Sequence, residues 1–163
     1  MGRVFFNTLE HTHEITAATT AYQCLASDSN KTFILNTAAA TVITLPADAD
    51  MELGWNINIV QALANNNGTL IKCSDVTNTT GQMFTGGLVF QVVADATADV
   101  FQGYAAAAAD DSQLALDTDL ANNKATVGTS LTIMKTATNR FMVTGNVASA
   151  AEATGAAIFS NIA

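Results

Sequence analysis

The chain has 163 residues, about one domain's worth, with 49% hydrophobic side chains, only 12% charged, and 30 Ala beside 23 Thr. An average soluble domain carries about 25% charge and a disordered chain is poor in apolar residues, so disorder is excluded in favour of a core under a nearly uncharged surface. Six basic against fourteen acidic residues leave a net charge of −8. The bases (Arg3, Lys31, Lys72, Lys124, Lys135 and Arg140) are scattered singly, which argues against nucleic acid and against an anionic membrane as partners.

In chain order, residues 1–30 read as a polar, irregular N-terminal arm. Thr32-Phe33-Ile34-Leu35 is a short β-rich run ending at Asn36-Thr37. Thr41–Leu45 is β-branched and stops at Pro46, which cannot continue a central strand. Trp55, Ile57 and Ile59 alternate with Asn56, Asn58 and Val60 after Gly54, the period-two pattern of a half-buried strand. Asn65-Asn66-Asn67-Gly68 gives a turn and Thr69–Cys73 a return strand, so 55–73 is predicted to be a hairpin. Leu88–Val93 is another strand. Tyr104–Gln113, with five alanines, reads equally as a short helix or an Ala-rich strand. Leu131–Lys135, the Thr138-Asn139 turn and Arg140–Thr144 form a second predicted hairpin. Residues 148–163 form a small-residue C-terminal tail. Strands about ten residues apart, with turn signals between them, predict an all-β fold: a β-sandwich or jelly-roll-like antiparallel module over 31–147. No repeat is visible at solenoid periods.

Motifs for chemistry are sparse. Asp48-x-Asp50 and Asp117-x-Asp119 pair carboxylates, but neither continues as a calcium loop, and solvated loop acids are the simpler reading. His11 and His13 would share one side of an extended strand and supply two imidazoles, which alone do not complete a metal site. Cys24 and Cys73 stand 49 apart without a CxxC and read as buried free thiols. There is no G-x-S-x-G, P-loop or G-x-G-x-x-G. No enzyme, metal or cofactor is expected. No apolar run nears the ~20 residues of a membrane span, and no signal-peptide pattern opens the chain, so folding in a cytoplasm is expected. Trp55, Ile57, Ile59 and Phe141 are the expected core anchors. Arg3 with the apolar Val4, Phe5 and Phe6 at one end, and Ile158, Phe159 and Ile162 at the other, are candidate contacts with neighbouring subunits of an assembly.

The run from Thr32 to Cys73, with its Thr44-Leu45-Pro46 strand end, Gly54, aromatic alternating strand and Asn turn, resembles modules of tailed-phage virion proteins. The Leu131–Gly145 segment resembles their closing hairpin, with Phe141 at the aromatic position. The resemblance covers roughly 31–147, although 95–125 matches nothing in it. It implies a capsid decoration (cement) protein made in the host cytoplasm. Such a protein sits on the virion surface, commonly as a homotrimer, and bridges neighbouring major capsid protein subunits. The alternative it implies is a tail-fibre or receptor-binding module for host glycans.

Overall fold

The computed structural model describes residues 11–65, 67–75, 81–92, 101–106, 111–116, 125–149 and 159–160. Strands dominate, and no described helix reaches seven residues, so the fold is all-β. Among the described residues, twelve strands build two mixed sheets: β1 (Thr12–Ile15), β2 (Ala21–Gln23), β3 (Lys31–Leu35), β4 (Thr41–Thr44), β5 (Asn56–Gln61), β6 (Thr69–Lys72), β7 (Met83–Val92), β8 (Phe101–Ala105), β9 (Gln113–Leu116), β10 (Ser130–Ala137), β11 (Arg140–Ser149) and β12 (Phe159–Ser160). The seven-stranded sheet runs β1-β3-β5-β10-β11-β7-β8 and the five-stranded sheet β12-β9-β6-β4-β2.

The first six strands alternate between the sheets, and within each sheet they stack in parallel. The chain therefore winds as three stacked coils, each placing one strand in either sheet. Equivalent positions line up from coil to coil. Ile15, Leu35 and Gln61 share one register, as do Tyr22, Ile43 and Ile71 on the facing sheet. The remaining strands extend the sheets. β10 joins β5 antiparallel, β11 pairs with β10 on one side and in parallel with β7 on the other, and β9 continues the smaller sheet.

Side chains on the inner faces meet in one core. Phe33, Ile57, Ile59, Ile133, Phe141 and Val143 come from the larger sheet; Ile43, Ile71, Leu114 and Leu116 come from the smaller. Rings cross the gap, with Tyr22 5.2 Å from Phe33 and Phe84 6.3 Å from Phe159. Each such apolar side chain contributes about 1.5–3 kcal/mol on burial. The strand periodicity explains the arrangement: β5 alternates half-buried Asn56, Asn58 and Val60 with buried Ile57, Ile59 and Gln61.

Several expectations change. The fold is not an antiparallel jelly roll, because parallel pairings are as numerous as antiparallel ones among the described strands. The 55–73 hairpin does not exist: β5 and β6 lie in different sheets. The intervening corner is stapled instead to the preceding coil, where Asn65 Nδ2 donates to the Ala39 carbonyl (2.9 Å) and Asn67 Nδ2 to that of Ala38 (2.7 Å). The repeat missed in the sequence is the coil itself. Residues 12–23, placed in the N-terminal arm, form its first turn. The hairpin near the C-terminal end does form, as β10 and β11, with Asn139 in the left-handed conformation its turn needs (φ 57°). Tyr104 and Ala105 end β8 and Gln113 opens β9; residues 107–110 between them lie outside the described part.

Candidate docking surface

Coil winding gathers the corners after β2, β4 and β6 at one end of the fold. Two adjoining clefts open there, of about 470 and 590 Å³, sharing Ala26 and Asp50 in their walls. Leu25 and Leu53 project beside them, 58% and 69% exposed. Exposed leucines at a concave surface are an unfavourable use of apolar area unless something covers them.

The corners are held rigidly. Asp28, only 1% exposed, accepts hydrogen bonds from Lys31 Nζ (2.7 Å), the Leu25 N–H (2.8 Å) and the Tyr22 hydroxyl (3.1 Å). Burial pushes the Asp28 carboxyl up, but these donors outweigh it and hold it below the ordinary carboxylate range. Tyr22 is driven the other way, up to about 12, by burial first and by the Asp28 charge second. Lys135, 6% exposed on β10, reaches across to the 48–51 turn. Its Nζ lies 2.9 Å from Asp48 Oδ1 and donates to the carbonyls of Asp48 (2.7 Å) and Met51 (2.9 Å). The Trp55 indole donates to the Ala26 carbonyl (3.1 Å) and fastens the two corners together. Gln82 accepts at one oxygen from Ser74 N, Ser74 Oγ and Asp75 N, each at 2.9 Å, and donates to the Pro46 carbonyl.

The charge balance follows. Lys31 and Lys135 neutralise Asp28 and Asp48, whereas the exposed Asp50 and Glu52 on the cleft wall make no ion pair among the described residues. The surface offered is thus two apolar projections beside two uncompensated carboxylates, on a pinned frame. Its complement is an apolar patch carrying a basic group.

Trp55, Ile57, Ile59 and Phe141 are buried, at 4%, 0%, 0% and 0% exposure. With its indole bonded and its ring covered, Trp55 offers no platform to a sugar. Phe159, a candidate contact with a neighbour, is instead core: it pairs with Leu114 and packs on Phe84, so the tail returns to its own sheet at that point. Arg3, Val4, Phe5, Phe6, Ile158 and Ile162 lie outside the described residues. His11 is exposed, while His13 turns inward and stacks 4.4 Å from Tyr22 and 5.5 Å from Phe33, so the two do not act as a pair. No cluster of three metal-ligating side chains occurs among the described residues. Cys24 and Cys73 are buried free thiols. Burial, with a smaller push from Asp28, raises Cys24 to about 12, and burial raises Cys73 as well. No described helix is long and apolar enough to cross a membrane.

The Asp28–Lys31 spacing was visible in the sequence, as a charged pair three apart. The Lys135–Asp48 contact and the clefts were not, because they join segments brought together only by the winding. No protein-family model, curated protein or solved structure matches this chain.

Proposed function

We propose that this chain is an assembly part rather than a catalyst: a decoration protein on the outer surface of a tailed-phage capsid. It bridges neighbouring major capsid protein subunits and acts as a homotrimer. The observation that carries the reading is the pinned corner surface, where Leu25 and Leu53 stand exposed beside Asp50 and Glu52. Ion pairs with one buried partner that fix surface turns, as Asp28–Lys31 and Lys135–Asp48 do, suit a preformed contact face. The step from contact face to capsid rests on the resemblance of the 31–73 and 131–145 segments to phage virion modules. Contacts made only in the assembled shell stabilise it by linkage.

Imaging of particles assembled with and without the chain tests this. Density at the local threefold positions of the shell, in hundreds of copies, is expected. A Leu25→Asp/Leu53→Asp double variant, folded by circular dichroism, is expected to lose that density. A few dozen copies confined to the tail, with binding on a glycan array, would instead identify a receptor-binding module.

A further inference from the structure

The outer face of the seven-stranded sheet carries a second surface. Parallel and antiparallel registers bring Thr12, Thr32, Asn58, Thr132, Thr144 and Gly87 into one straight row across six strands. Thr132 donates to Asn58 within it (2.8 Å). The row on one side includes Ile34, Val60 and Ser130; that on the other includes Met134 and Met142. All of these are half-buried or exposed. Across the three rows the only ionisable residue among the described ones is Glu14, on the edge strand, with Arg140 lying beyond the last row.

We infer that this face is where copies of the chain meet one another. Three observations lead there. First, a chain of net charge −8 repels its copies, and the three rows of this face carry a single described carboxylate, Glu14, at their edge. Second, a Thr hydroxyl and an Asn amide each both donate and accept, so the central row complements a copy of itself without a second chemistry. Third, six strands at ~4.8 Å spacing and three rows of side chains give a footprint of roughly 500 Å² per copy. Two such footprints reach the ~1,000 Å² that separates specific interfaces from adventitious contacts. Depletion of charge, with Met134 and Met142 in a flanking row on the central strands β10 and β11, is the composition of an interface core. The inference rests on the self-association of the proposed function and names its surface, on which two copies meet face to face.

Sedimentation of the full chain over a range of concentrations tests it. Self-association is expected, weakened by roughly a hundredfold or more in Thr132→Glu, because like charges then meet at the contact. Thr144→Lys serves the same purpose should Thr132→Glu fail to fold. Val42→Glu, on the outer face of the five-stranded sheet, is expected to leave association unchanged. A wild-type chain that stays monomeric overturns the inference, even where Thr132→Glu lowers capsid occupancy, since the face then meets a different protein. Dissociation by Val42→Glu but by neither of the other variants overturns it too. Association through this face without capsid binding supports it and removes the decoration reading alone. A dimer through this face supports the surface and removes the threefold arrangement.

Discussion

Lys135 and Asp48 form an ion pair of 2.9 Å between β10 and a turn 87 residues earlier in the chain. The Lys135 side chain is 6% exposed, and its other hydrogen bonds go to the Asp48 and Met51 carbonyls. A buried pair of this kind positions more than it stabilises, yet removing one partner leaves the other uncompensated. Lys135→Met is therefore expected to lower stability by about 2–4 kcal/mol, measured as the shift in urea midpoint at constant slope. The same variant should expose the 48–51 turn to proteolysis before global unfolding. Cleavage rates equal to wild type there would show that the pair does not hold the corner.

The acid limb of stability is expected to come in part from Asp28. Its folded-state carboxyl is held below the unfolded value of about 3.9, so its contribution is present above that pH and is lost as pH falls through the folded value. Asp28→Asn removes this limb and flattens the stability profile below about pH 4. An unchanged slope in that window would assign it to other carboxylates.

The alkaline limb has the opposite sign. Tyr22 and Cys24 are raised to about 12 in the folded chain, so the unfolded chain ionises first, and stability falls as pH climbs from about 9 toward 12. For the same reason neither buried thiol should react with a disulfide reagent at pH 8 in the native state. Both should titrate in denaturant. Prompt native reaction of either would contradict the burial.

Gln61 sits in the inward register that Ile15 and Leu35 fill in the two preceding coils, and its Oε1 is buried with no hydrogen-bond partner. Among the described residues its amide reaches the Ala125 carbonyl alone, at 3.5 Å. Gln61→Met keeps the unbranched shape and removes the orphaned acceptor. A gain of about 1 kcal/mol in thermal or urea unfolding is expected, and a loss would reveal a role for the amide.

Gly86 has φ +86° on β7, and a Cβ there would stand 2.5 Å from the Val143 carbonyl oxygen on β11. Gly86→Ala is expected to cost about 1–3 kcal/mol from the backbone conformation alone, with the clash added. Equal stability of the variant would mean that β7 shifts freely against β11.

Much of the fold was legible because period-two alternation writes the inward side chains directly into the sequence. Phe33, Ile57, Ile59, Ile133, Phe141 and Val143 could be chosen that way, and so could the β10–β11 turn at Asn139. Alternation says nothing about which sheet a strand joins, and there the prediction failed for β5 and β6. An Asn-Gly turn normally closes a hairpin, but here Asn65 spends its amide on the Ala39 carbonyl of the preceding coil. The coil repeat stayed hidden because its turns differ in length: Thr12 aligns with Thr32, but Lys31 aligns with Ile57. The docking surface was largely illegible. Asp48 looked like half of an acidic pair with Asp50, and only the winding shows that one is neutralised and the other left free.

The parallel stacking also fixes a schedule for synthesis. β5 and β6 take their second neighbours from β10 and β9, which leave the ribosome much later. A nascent chain ending near residue 75 thus holds three wound coils with a bare strand in each sheet. Chains emerging side by side on one message would offer those bare edges to each other before their own C-terminal halves exist. Slow or stalled translation between residues 75 and 130 is therefore the stage at which this protein is most exposed to mispairing.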